Sequence, residues 1–200
     1  MKKGKSLIFL GLLLIVAALS LVVYNLYDER RAADAVDQAM QELPAKMQDI
    51  ISGEDATEVP DYLLNPNMDM PVKTVHGVDI VGILNIPGLE LELPVISRWS
   101  YSNLKSAPCR YAGSVYLNNL ILCGHNYRSH FGSLKNLQEG DIVIFTDMDG
   151  NEFVYEITLL ETLSSSDVEG MENGDWDLTL FTCTIGGSYR ITVRCELIPE

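Results

Sequence analysis

The pattern of hydrophobic and polar positions changes twice along this chain. Residues 6–24, from Ser6-Leu7-Ile8-Phe9 to Val22-Val23-Tyr24, carry no charge. As a helix, such a run spans about 28 Å, close to the hydrocarbon thickness of a bilayer. Lys2, Lys3 and Lys5 precede it, a bias that keeps the N-terminus cytoplasmic and sends the remainder outside. Arg30-Arg31 on the far side opposes that orientation, diluted by Asp28 and Glu29. A cleaved signal peptide is the alternative, with Ala17-Ala18-Leu19-Ser20 as a cleavage-like site. Its apolar region is normally only about 7–15 residues long, whereas here apolar residues continue past that site. An uncleaved single-pass anchor is the favoured expectation.

Between 28 and 52 the apolar residues Val36, Met40, Leu43, Met47, Ile50 and Ile51 fall at near-helical spacing. Pro44 predicts an interruption there. Residues 53–72 hold Gly53, Pro60, Pro66 and Pro71 without a period, which reads as a linker or surface strap. From Gly77 onward short β-rich runs alternate with turn residues. Strands are predicted at 78–86, 89–96, 114–118, 120–125, 141–146, 152–163, 178–183 and 190–197, and short helices at 100–104 and 133–137. Asp149-Gly150-Asn151 marks a hairpin. Closely spaced strands with little helix predict a mainly β fold, a small barrel or sandwich. The domain boundaries that follow are 1–27 for the cytoplasmic stub and anchor, 28–76 for an external helix and linker, and 77–200 for one globular domain.

A formal net charge of −14 over 200 residues excludes a general nucleic-acid binder, which needs a basic face to neutralise phosphates. Four cysteines in an exported chain leave two readings open: a Cys109–Cys195 bridge, or buried thiols acting as small apolar groups.

Two short words carry candidate chemistry. Thr179-Leu180-Phe181-Thr182-Cys183 ends a predicted strand, with Arg190 seven residues beyond its cysteine. Cys123-Gly124-His125-Asn126 closes another apolar run. A thiol, an imidazole and a guanidinium are the parts of covalent acyl transfer: nucleophile, proton carrier and a cation for a developing oxyanion. Strand alternation puts Thr179, Phe181 and Cys183 on one face. Each of the three groups lies at a strand end, so they can converge on one rim of a barrel. The rivals are Cys123, which a core position explains more simply; His76 and His130, which read as linker and polar-loop residues; and Arg194, which shares a strand face with Arg190.

In this order the words resemble the sortase family, membrane-anchored cysteine transpeptidases of mainly Gram-positive bacteria, over roughly residues 77–198. The resemblance implies an eight-stranded sortase-type β-barrel with short helices behind an N-terminal transmembrane helix. It implies Cys183, His125 and Arg190 as catalytic residues and Thr182 as a substrate-binding one. The implied partners are exported surface proteins with a C-terminal sorting signal, L-P-x-T-G-like by default, the amine of a peptidoglycan precursor, and the cell membrane, with the catalytic domain outside. No cofactor is implied, with calcium kept as an alternative. Some sortases bind calcium near the loop corresponding to Asp167–Asp177, but the acids there lack EF-hand spacing and read as solvated. Pilus assembly is not favoured, since the strap offers only Asn65-Pro66-Asn67 where an Asp-Pro-aromatic lid is expected. A hydrolytic cysteine endopeptidase and a tethered, non-catalytic binding barrel remain as alternatives.

Overall fold

A computed structural model describes residues 2–51 and 59–199, apart from the side chains of residues 2, 3, 6 and 44–51. The first part of the predicted strap, 53–58, and the side chains of Met47, Ile50 and Ile51 therefore lie outside the described residues.

Helix α1 (Lys2–Ile51) is continuous. It stays helical through Pro44, where the sequence predicts a break. Strong helix formers flank the proline on both sides, Met40-Gln41-Glu42-Leu43 and Ala45-Lys46-Met47-Gln48, and offset the single lost backbone bond. The described apolar side chains from Leu7 to Tyr27 are exposed, and by length and composition this part of the helix can cross a membrane. Beyond it Ala32, Val36, Ala39 and Leu43 are buried along one stripe that packs on the rest of the fold. Two of the four are alanines, which give little hydrophobic signal in sequence.

A short helix, α2 (Asp61–Leu64), follows, and its Tyr62 ring stacks on Tyr116 with centroids 4.8 Å apart. Strand β1 (Lys73–Val75), inside the segment expected to be linker, pairs antiparallel with β2 (Val78–Ile86). The chain continues through β3 (Leu91–Ile96), β4 (Cys109–Ala112), β5 (Leu120–Gly124), β6 (Ile142–Asp147) and β7 (Glu152–Ser164). Helix α3 (Val168–Glu172), β8 (Leu178–Cys183) and β9 (Tyr189–Leu197) complete it. Sheet order is β1-β2-β3-β4-β5-β8-β9-β7-β6, and β6 also pairs with β2. Strands β2 to β9 thus close an eight-stranded barrel, with β1 an added edge. Its interior is filled by Leu84, Leu93, Leu120, Phe145, Leu180 and Val193, all essentially without solvent exposure.

The predicted strand at 114–118 is instead a single 3-10 turn at Val115–Leu117, with the Ser114 hydroxyl accepting from the Tyr116 N–H at 3.2 Å. The barrel strand lies just upstream, in β4. Gly113 ends it at φ +74°, and a Cβ there would meet the Asn119 carbonyl at 1.9 Å. The β6–β7 hairpin forms at Asp149-Gly150-Asn151 as the sequence predicts. Buried Asp147 organises it by accepting from the N–H groups of Asp149 and Asn151 and from the Tyr116 hydroxyl.

Candidate active site

The pairing order brings β5, β8 and β9 side by side, although they are distant in sequence. Strands β5 and β8 run parallel, with Gly124 opposite Thr182. Strands β8 and β9 run antiparallel, with Cys183 opposite Arg190. His125 directly follows Gly124. Along β8 the residues Leu178, Leu180 and Thr182 are buried toward the interior, whereas Phe181 and Cys183 are half-buried on the outer face. The three functional groups line one cleft of about 310 Å³. It opens on the outer wall at the strand ends, not on the barrel's interior.

Several local devices hold these groups. The Thr182 hydroxyl donates to the Gly124 carbonyl at 2.8 Å, and Thr182 is only 2 % exposed. Gly124 is needed because a Cβ would meet the Phe131 ring at 2.7 Å. Phe131 is pinned there when its N–H donates to the His125 carbonyl at 3.0 Å. On the far strand the Arg190 guanidinium donates to the Gly187 carbonyl at 2.9 Å, across a turn that has Gly186 and Gly187 at positive φ. The same nitrogen, Nη1, donates to the Tyr189 carbonyl at 3.2 Å, and Arg190 lines the cleft.

The His125 ring packs against Tyr127 with centroids 4.7 Å apart, and Tyr127 lies 5.4 Å from the ring of His130. The Tyr127 hydroxyl donates to the Asp28 carboxylate of α1, and the Arg128 N–H donates to Glu29 at 3.1 Å. The first turns of α1 beyond the apolar run thus grip the loop that carries the histidine. Burial lowers the His125 pKa from its ordinary value, Asp28 opposes that fall, and Lys105 adds to it. His130 is not the exposed loop residue that the sequence predicts. It is fully buried with neither ring nitrogen in a normal hydrogen bond, and burial first, then the His125 charge, lower its pKa to about 4.

All four cysteines are free, so the bridge between Cys109 and Cys195 does not form. Cys109 faces Cys123 across β4 and β5 instead. Cys123 lies in the cleft floor but is only 2 % exposed, and burial pushes its thiol pKa far up, as it pushes Cys109 up to about 12. Cys183 is the half-exposed thiol of the four. Arg194 does not line the cleft; it is buried beneath α3.

The cleft has two walls that the sequence does not reveal. Trp99, Tyr101, Tyr111 and Phe181 form a chain of ring contacts, with Tyr111 and Phe181 edge to face at 5.3 Å. Asp167, Val168 and Met171, around α3, form the other side. Phe181 is the variable position of the thiol word, and the rest come from segments without a period. The acids expected to be solvated are partly engaged: Asp167 caps the Gly170 N–H at 2.9 Å, Glu172 accepts from the Tyr111 hydroxyl at 3.0 Å, and Asp177 accepts from the Leu197 N–H at 2.7 Å. Among the described residues, no three His, Cys, Asp or Glu side chains converge to hold a metal ion.

Fold and cleft together define a closed mixed barrel whose outer wall presents a thiol, an imidazole and a guanidinium. The model of the sortase domain matches residues 84–198, and the chain belongs to the sortase family. Sortase A of Bacillus anthracis is 28% identical over 127 residues, 60% of this chain and 60% of that protein, so the match spans less than two thirds of that relative. The structure of sortase C from Streptococcus pneumoniae is similar with a TM-score of 0.55 at 23% identity, over 82% of this chain and 94% of that one. Sortase E from Streptomyces avermitilis gives a TM-score of 0.51 at 26% identity, over 60% and 88%.

Proposed function

We propose that the protein is a cysteine transpeptidase that cleaves a sorting signal of exported proteins and passes the acyl group to an amine. One observation carries this reading: Cys183 and Arg190 are cross-strand partners, and His125 lines the same cleft from the end of the next strand. The rival thiol, Cys123, is buried and held protonated.

The lowered pKa of His125 favours a neutral imidazole at pH 7, able to take the proton of Cys183. The resulting thiolate attacks the scissile carbonyl. The Arg190 guanidinium, opposite Cys183 across β8 and β9, donates N–H groups to the oxyanion as it forms. When the tetrahedral centre collapses, the C–N bond breaks, the histidine returns its proton to the departing amine, and a thioester remains. A second amine attacks that thioester after giving a proton to His125, and the Cys183 thiolate leaves. Thr182, which the resemblance implies as a substrate-binding residue, borders the cleft beside Cys183. The aromatic wall supplies apolar surface for the peptide's side chains.

The partners follow from this chemistry: a surface protein with a C-terminal sorting signal, and a peptidoglycan precursor whose amine resolves the thioester. The chain divides into an anchor at 1–27, an external connecting segment at 28–76 and a catalytic domain at 77–200. The lysines at 2, 3 and 5 favour a cytoplasmic N-terminus. A panel of five-residue sorting motifs, incubated with and without added amines, tests the proposal. Ligated product that depends on amine and disappears in Cys183→Ala supports it. Cleavage indifferent to amine points to hydrolysis, and no thioester by intact mass sinks the covalent route.

A further inference from the structure

Arg194 is the second arginine of β9 and is 2 % exposed. A buried guanidinium is costly unless its charge is balanced and its N–H donors are used. Here Glu161 balances the charge, and four of the five donors are used. Nε donates to the Glu161 carboxylate on β7 at 2.8 Å. Nη1 donates to the Thr179 hydroxyl on β8 at 3.0 Å and to the Met171 carbonyl at 3.1 Å, and Nη2 donates to the Gly170 carbonyl. The Trp176 ring lies 6.0 Å from Cζ.

The two carbonyls belong to α3, a five-residue helix. A helix that short has no stability of its own, and its last carbonyls have no partner within it. A cation at that end satisfies them and is favoured by the direction of the backbone dipoles. Besides the buried Met171 side chain, the other hydrogen bonds from 165–172 to the barrel, among the described residues, are peripheral: the exposed Glu172–Tyr111 contact, and the Ser165 N–H donating to the Ser188 carbonyl at 3.0 Å. Yet Asp167, Val168 and Met171 are one wall of the cleft.

We propose that Arg194 is a positioning residue that clips α3 to the barrel and so preforms the recognition wall of the cleft. The proposal rests on reading that cleft as the peptide site. Through Arg194, strands β7, β8 and β9 and helix α3 share one set of hydrogen bonds, so the wall is set before a peptide arrives. Lysine is no substitute, because an ammonium at the end of a flexible stem does not present donors in a planar fork to two carbonyls, a hydroxyl and a carboxylate.

The test compares the full-length protein with Arg194→Lys and Arg194→Met. Amide exchange without substrate is expected to speed up across 168–173 in both variants, while β8 stays protected. With a sorting-signal peptide, KM is expected to rise about tenfold with the loss falling mainly on KM and little on kcat, the sign of lost ground-state binding contacts. The acidic limb of the pH profile stays in place. Unchanged exchange at 168–173 overturns the clip whatever the enzyme's activity. Faster exchange with unchanged KM overturns the recognition role, and a fall in kcat alone would place Arg194 on the reacting atoms. If neither variant folds, Thr179→Val, which removes one Nη1 bond, carries the same two measurements.

Discussion

The Thr182 hydroxyl donates to the carbonyl of Gly124 at 2.8 Å. It ties the strand that ends in Cys183 to the strand that leads into His125. Because β5 and β8 are parallel, this bond adds to the ladder beside the strand ends that carry Cys183 and His125. Thr182→Val is expected to cost about 1–2 kcal/mol in stability, as a buried hydrogen bond is lost with little change in volume. Activity should fall further than that stability loss explains, while Thr182→Ser keeps most of both. Equal activity in the valine variant, measured with a sorting-signal peptide, would refute the positioning role.

Exposure separates the four thiols more sharply than their positions in the sequence. Native protein treated with iodoacetamide at neutral pH is expected to take up one equivalent, at Cys183, since burial holds Cys109, Cys123 and Cys195 protonated. Unfolded protein should take up four. Peptide mapping of the alkylated chain is the check; early modification of Cys123 would redirect the nucleophile assignment.

Asp28, on α1 just beyond the apolar run, is the carboxylate that acts on the proposed base. Asp28 opposes the fall in the His125 pKa that burial causes. Asp28→Asn removes that support, so the imidazole should protonate at lower pH. The acidic limb of kcat/KM, which reports loss of the neutral base, is expected to move to lower pH in this variant. A shift in the opposite direction, or none, would show that Asp28 does not act on the histidine.

His130 ties stability to pH. Its folded pKa is near 4, against an ordinary value of 6.5. The unfolded chain therefore binds the proton more readily, and stability is full above about pH 6.5 and falls as pH drops toward 4. Over that window the loss amounts to roughly 3 kcal/mol. Urea unfolding at pH 7.5 and pH 4.5 measures it. His130→Phe should flatten the dependence; an equally steep fall in that variant would assign it to other groups.

Much of the scaffold was legible because strand alternation is a local signal. The bounds of β2 and β8 agree with the predicted ones, and β9 differs by one residue. Strand β4 leaves no alternating signal because it is four residues long and only its first is buried. The turn at Val115–Leu117 looks like a strand because Val-Tyr-Leu has strand-like composition, while a capping serine and a left-handed Asn118 decide its conformation. His130 looked like a polar-loop residue among Tyr127, Arg128 and Ser129. The loop's return through the Phe131–His125 backbone bond is what turns it inward.

The sequence by itself determined the apolar run, the alternating strands and the two words that hold thiol, imidazole and guanidinium, since each depends only on neighbours along the chain. Tertiary structure alone decided that these groups share a cleft, that Cys123 is sealed off while Cys183 is open, and that Arg194 is buried beneath α3 and does not line the cleft. Those outcomes depend on contacts such as Thr182 to Gly124, 58 residues apart. Closing the barrel sets such contacts, and no local pattern encodes them.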